Sequence, residues 1–263
     1  MILDRIAGAT RKRVGLLKDM IAPDAMKKQA LSLPVLNPFR FEKSLQKDDI
    51  AFICEIKKAS PSKGVIAGEF PYLDIARDYE AAGADAISVL TEPEFFLGSS
   101  RYLHEIHRTV SLPLLRKDFT VDEYQIYEAK TLGAGAVLLI CALLDTDTLR
   151  AYLQISDALG LSALVEAHDE AEIESALRAG ARLIGVNNRN LKSFAVDVNN
   201  CTRLRSLVGD GALFVAESGI RSPEEIALLR EAKVDAVLIG ETMMRAPDKT
   251  EMLTHLKGEG QKG

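Results

Sequence analysis

From the amino end, apolar positions first recur at helical spacing. Leu3, Ile6, Thr10, Val14 and Leu17 follow steps of three and four within Met1–Met20, with Arg11, Lys12, Arg13 and Lys18 off that stripe. This spacing predicts an amphipathic helix, whose basic cluster reads as a solvated face rather than an anion site. Pro23, Pro34 and Pro38 divide the following segment into short pieces ending near Asp49. Residues 1–48 are too few for a core of their own, so they are expected to form a helical extension of a domain spanning 49–263. At residue 51 the period changes to two. In AFICEIKKASPSKG (51–64), Phe52, Cys54 and Ile56 fall on one face of a strand, and Ile53, Glu55 and Lys57 on the other. Opposite charges at the end of an apolar strand are costly to bury unless paired, which marks this end as a place for chemistry.

A unit then repeats. AAGADAISVL (81–90), TLGAGAVLLI (131–140), ALGLSALVEA (158–167), RAGARLIGVN (178–187) and EAKVDAVLIG (231–240) each pass from a helix end into a buried strand. Gly83, Gly133, Gly160 and Gly180 suit the left-handed exit from a helix, and Lys233 takes the fifth such place at some strain. Thr120–Glu123 (TVDE) and Ser222–Glu225 (SPEE) match capping boxes at helix starts, with Pro223 at the first helical position. Adding Ala51–Lys57, Leu112–Lys117 and Ala212–Glu217 gives eight apolar strands. Eight such units predict an α/β fold closed as a (β/α)8 TIM barrel, with an open doubly wound sheet as the alternative.

In such a barrel the carboxyl ends of the strands carry the site. Glu55, Lys57, Lys117, Glu166, Asn187, Glu217, Ser218 and Gly240 fall there, five of them ionisable and drawn from four strands. Any one alone reads equally well as a structural ion pair; together they favour a catalytic cluster. The turns at 217–220 and 239–242, after strands seven and eight, suit a phosphate met by backbone N–H groups. Lys58–Pro71 is longer than the usual connection and is either a mobile lid or a tolerated insertion, its SPSKG opening favouring the lid. Phe95 and Phe96 either line an aromatic pocket or form a local plug.

Composition narrows the class. The 263 residues carry a net charge of −5, without the basic field expected of a nucleic-acid or membrane-surface binder, so anionic substrates must be met by locally placed cations. Cys54, Cys141 and Cys201 are odd in number and widely spaced, and read as reduced packing residues with no metal spacing. The longest apolar run, Ala136–Leu144, is too short to cross a bilayer, and MILDRI lacks the apolar character of a signal peptide. The expected setting is the cytoplasm.

The segments CEIKKASPSKG (54–64), LLRKDF (114–119), LVEAH (164–168), GVNNRNL (185–191), VAESGI (215–220) and LIGETMM (238–244) closely resemble the indole-3-glycerol-phosphate synthase family of tryptophan biosynthesis. The resemblance covers the whole barrel in order and extends to the amino-terminal helices. It implies a (β/α)8 fold and a cofactor-free, metal-free carboxy-lyase reaction. In that reaction 1-(2-carboxyphenylamino)-1-deoxyribulose 5-phosphate closes to indole-3-glycerol phosphate, releasing carbon dioxide and water. By motif position, Lys117 resembles the general acid and Glu166 the general base. Lys57, held by Glu55, resembles the lysine that meets the substrate carboxylate. Asn187 and Glu217 resemble polar residues lining the site, and Arg189 the arginine near the anthranilate carboxylate. Phe119 and Leu191 fall in the substrate-binding motifs. Ser60, Ser218, Gly219, Gly240 and Glu241 fall in the phosphate-binding motifs, with Glu241 expected to offer its backbone N–H and turn its side chain away. The implied partner is a small phosphorylated molecule, with no nucleic acid or membrane, and the implied state is a monomer or a homodimer.

The residue types suit that chemistry independently. Ring closure needs an acid at the substrate ketone, and a lysine ammonium inside a barrel supplies one while balancing substrate anions. Two other readings stay open at this level. One is a lyase in which Lys117 or Lys57 forms a Schiff base with a sugar-phosphate carbonyl; the other is a non-catalytic barrel that binds a phosphosugar.

Overall fold

The period-two segments become strands because both of their faces meet apolar partners. The computed structural model describes residues 2–189 and 199–258. Among them, eight parallel strands close into a barrel: β1 Ala51–Ile56, β2 Ala86–Leu90, β3 Leu114–Lys117, β4 Ala136–Ile140, β5 Ser162–Ala167, β6 Leu183–Asn187, β7 Leu213–Glu217 and β8 Ala236–Ile239. Closure runs through β1, which pairs with β2 at Ile53 and Ala86 and with β8 at Ala51 and Ala236. Helices α1 Ile2–Met20, α2 Pro23–Ser32 and α3 Arg40–Leu45 precede the barrel. Those that follow are α4 Tyr72–Ala81, α5 Ser100–His107, α6 Tyr124–Leu132, α7 Thr146–Ala158, α8 Glu170–Ala179, α9 Asn199–Arg205, α10 Pro223–Glu231, α11 Glu241–Arg245 and α12 Lys249–Lys257.

The alternation read in β1 sorts its side chains into two cores. Phe52, Cys54 and Ile56 join the apolar shell between barrel and helices. Ile53 joins Leu115, Leu138, Leu164 and Val215 inside the barrel. Phe41 and Leu45 of α3 belong to that inner cluster and plug the amino end of the barrel. Burying side chains of this size stabilises by about 1.5–3 kcal/mol each. Arg182, just before β6, locks the plug: it pairs bidentately with Glu42 of α3 at 3.1 and 3.2 Å, with Asp157 of α7 at 2.8 Å, and lies 4.7 Å from the Phe39 ring.

Helix exits follow the sequence closely. Gly133 and Gly180 cap α6 and α8 at φ 87° and 96°, and Lys233 adopts φ 57° after α10. That conformation costs a residue with a Cβ about 1–2 kcal/mol. Ser222 and Glu225 form the expected reciprocal cap of α10, with Pro223 first in the helix. The cap expected at Thr120 does not form. Thr120 is buried, α6 begins only at Tyr124, and it is Asp122 whose carboxylate accepts from the Tyr124 N–H at 3.0 Å.

The basic face of α1 also differs from expectation. Arg11 and Lys12 are exposed, but Arg13 pairs with buried Asp118 at 2.7 Å and Lys18 with Asp122 at 2.7 Å, so half the cluster ties α1 to the barrel. The cysteines are free, Cys54 and Cys201 buried and Cys141 half-buried; burial pushes the Cys54 thiol up to about 12. Among the described residues no helix is long and apolar enough to cross a membrane.

Replacing Arg182 by Ala leaves the mostly buried Glu42 without its charged partner. Urea denaturation is expected to show a loss of about 1–3 kcal/mol, with turnover unchanged because the contact lies at the end of the barrel away from the charged cluster.

Candidate active site

Charge enters the barrel where the apolar layers stop. On β1, Glu55 points inward and is buried; Lys57 stands one residue past the strand's end and forms a short ion pair with it. Ser88 of β2 lies 3.5 Å from the other oxygen of Glu55. Gly240, just after β8, must be bare here: a Cβ would collide with the Glu55 carboxylate and stand 2.8 Å from Lys57 Nζ.

Across the cavity, Lys117 at the end of β3 lies between two carboxylates. Its Nζ is 2.6 Å from Glu217 Oε2 on β7 and 3.1 Å from Glu166 Oε2 on β5. Gly185 on β6 makes room for this, since a Cβ there would run into Glu217 Oε1. Burial would strip the ammonium of its proton, but Glu217, Glu166 and Glu55 overcome that and hold Lys117 charged well above its ordinary range. Two acids on one cation do not share it equally. Burial raises both carboxyls; in Glu166, Lys117 and His168 outweigh it and keep the group far below the usual range. Glu217 has a buried Oε1 without a hydrogen-bond partner among the described residues, and burial plus the Glu166 charge push it up to about 7.

The walls come from loops. Asn187 donates Nδ2 to Glu166 Oε1 at 3.3 Å, while its Oδ1 accepts the Arg189 N–H at 3.0 Å. Phe119 packs against Phe96, ring centroids 5.9 Å apart, which puts Phe96 in the pocket wall; Phe95 lies instead against Arg5. The loop is shaped by buried Glu92, whose carboxylate accepts the N–H groups of Glu94, Phe95 and Phe96 at 3.0, 2.7 and 3.1 Å. Leu191 lies outside the described residues.

On the opposite side, Ser218 and Gly219 take consecutive left-handed conformations, φ 68° and 85°. Helix α11 begins after Gly240 without a side-chain cap, so its first N–H groups have no side-chain acceptor. Thr242 Oγ1 donates to Ile220 O at 2.7 Å and joins the two turns. The Glu241 carboxylate is occupied by Arg245 at 3.1 Å and Lys63 at 3.5 Å. Lys63 belongs to the long connection after β1, which folds back as a hairpin pairing Ala59–Ser60 with Gly64–Val65. Ser60 Oγ lies 3.4 Å from Ser62 Oγ.

Between these elements lies one cleft, open to solvent. The structure thus brings together Glu55, Lys57, Ser60, Lys117, Phe119, Glu166, Asn187, Arg189, Glu217, Ser218, Gly219, Gly240 and Glu241. Sequence reasoning missed three contributors. Ile2, Leu3 and Ile6 of α1 cover part of the mouth. Asp118, next to Lys117, is held by Arg13 and by Thr91 at 2.6 Å. His168 stands behind Glu166. Only the end of LVEAH, two residues after Glu166 on the opposite charge, signalled the last of these. Among the described residues no group of three or more His, Cys, Asp or Glu side chains is placed to hold a metal ion.

Comparison with known proteins decides the family. The model of the indole-3-glycerol phosphate synthase family matches residues 3–256. The chain belongs to that family. It is 60% identical to the indole-3-glycerol phosphate synthase of Ruminiclostridium cellulolyticum over 98% of this chain and 99% of that one. With the protein of the same name from Endomicrobium trichonymphae the identity is 53%, over 98% and 100% of the two chains. Among solved structures, a 3-hexulose-6-phosphate synthase aligns at TM-score 0.66 and 14% identity, covering 80% of this chain and 99% of the other, a likeness of barrel fold alone.

The shared ammonium makes a stability prediction. Glu217 binds its proton more tightly folded than unfolded, so between its ordinary 4.5 and about 7 the folded state is progressively destabilised as pH rises. Glu217→Gln is therefore expected to melt like the parent near pH 4 and to be more stable at pH 8, by on the order of 2 kcal/mol. Calorimetry at both pH values checks this.

Proposed function

We propose that the chain catalyses the reaction of its family in tryptophan biosynthesis: ring closure, decarboxylation and dehydration of 1-(2-carboxyphenylamino)-1-deoxyribulose 5-phosphate to indole-3-glycerol phosphate. The observation that carries the reading is the buried Lys117 ammonium between Glu166 and Glu217, facing the backbone turns at Ser218–Gly219 and Gly240. The substrate phosphate sits at those turns, with Ser60 and the Glu241 N–H, and its anthranilate ring lies between Phe119 and Phe96. Lys57 and Arg189 meet the substrate carboxylate.

Lys117 gives its proton to the ketone oxygen as the ring carbon bearing the carboxylate attacks, forming the new carbon–carbon bond. The electrons of the departing carbon dioxide restore the benzene ring. In the last step the hydroxyl leaves as water, protonated by a lysine, while Glu166 removes the proton that completes the indole. Asn187 orients Glu166, Glu217 holds Lys117 from its other side, and Glu55 pairs with Lys57. Nothing in this sequence of proton transfers calls for a metal or cofactor. A Schiff base on Lys117 is disfavoured, because it needs a free amine where two carboxylates hold Lys117 protonated. We assign residues 1–48 to the barrel as an extension that floors one end and roofs the other, and the setting to the cytoplasm.

Addition of the carboxyphenylamino-deoxyribulose phosphate is expected to produce indole fluorescence at a rate that a chelator leaves unchanged. Lys117→Ala should lower turnover by on the order of a thousandfold. Unchanged turnover in that variant, or loss of activity on chelation, removes the assigned roles.

A further inference from the structure

His168 lies just past the end of β5, two residues beyond Glu166, and its ring is fixed from behind. Glu172 Oε2 on α8 takes both the His168 backbone N–H at 2.8 Å and Nδ1 at 3.0 Å. Glu172 is itself set by the amino-terminal cap of α8, where Asp169 accepts its N–H at 2.9 Å. The His168 carbonyl accepts from Asn200 Nδ2 of α9 at 3.4 Å. With Nδ1 so held, Nε2 is aimed inward. It is buried, has no hydrogen-bond partner among the described residues, and lies 3.4 Å from Glu166 Oε1.

Glu166 thereby has two differently employed oxygens. Oε1 faces His168 and Asn187 Nδ2, 3.3 Å away, while Oε2 faces Lys117 and the cleft. We propose that His168, braced by Glu172, is a positioning residue for the base of the reaction: its Nε2–H pins Oε1 of Glu166 and leaves Oε2 aimed at the substrate. This rests on the reading of Glu166 as that base.

The physical reason is a change of partners during turnover. When Lys117 turns to the substrate ketone, Glu166 loses its nearest cation inside a buried site. A second cation behind it keeps the carboxylate ionised and stops it following the lysine. The charge of His168 has local support: burial opposes it, but the Glu166 and Glu172 carboxylates beside it raise the imidazolium to about 10. The other groups near this pair are Asp169 and Cys141, whose thiol is raised to about 12 by burial and by these acids and stays neutral. Cys141 Sγ instead donates to the Glu172 carbonyl at 3.4 Å.

The test compares kcat and KM across pH for the parent, His168→Ala, His168→Gln, Glu172→Gln and Glu166→Gln. Expected for His168→Ala is a fall in kcat on the order of tenfold with KM little changed, and an acid limb of kcat displaced to higher pH, as a carboxylate that loses a cation becomes easier to protonate. His168→Gln keeps a donor without charge, so it should recover part of the plateau while the limb stays displaced. Glu172→Gln should displace the limb in the same direction, and with His168→Gln it decides the matter if the alanine variant fails to fold. Superimposable acid limbs in the parent and the His168 and Glu172 variants, or a loss confined to KM, overturn the proposal while Glu166→Gln remains inactive. Full activity in Glu166→Gln overturns it together with the assignment of the base.

Discussion

The architecture depends on one buried cation. Lys117 Nζ, with Glu217 Oε2 at 2.6 Å and Glu166 Oε2 at 3.1 Å, places a net negative cluster inside a ring of apolar strands. Such a cluster is tolerable only where a fold already supplies compensation, because desolvation of each charge costs several kcal/mol. The compensation is distributed: a Glu217 carboxyl that burial and the Glu166 charge raise to about 7, the amide of Asn187 and imidazole of His168 on Glu166, and glycines at 185 and 240 that let side chains approach where a methyl group would not fit. The apolar layers and the α3 plug below carry the stability that this arrangement draws on.

Separation of the two tasks follows the direction of the strands. At the amino end, Arg182, Glu42 and Phe39 close the barrel with contacts that have no part in the cleft. At the carboxyl end, side chains that would ordinarily be excluded from a core face one another across it. A parallel barrel makes this natural, since every strand delivers its last residues to the same rim.

Much of this was legible in the chain because it is local. Period two in residues 51–57 sorted Ile53, Glu55 and Lys57 to the barrel interior, and the helix exits fell at the expected glycines and at Lys233, which indeed takes positive φ. Strand order and spacing were then enough to gather the charged residues at one rim. What could not be read was pairing between distant segments. Arg13 and Asp118 are separated by 105 residues, and nothing in the periodicity of α1 distinguishes Arg13 from exposed Arg11 and Lys12. Thr120 carried a capping pattern but is buried, and Asp122 took the role. Whether Phe95 and Phe96 line a pocket or form a local plug was undecided, because only the three amides gathered on Glu92 fix which ring turns inward.

The fastening of α1 has a dynamic consequence. Its first turn roofs the cleft through Ile2, Leu3 and Ile6, and its anchor, Asp118, is the chain neighbour of Lys117. Entrance and acid are therefore linked through Asp118. Local opening of this outer helix would disturb mouth and acid together while the ring of strands stays closed.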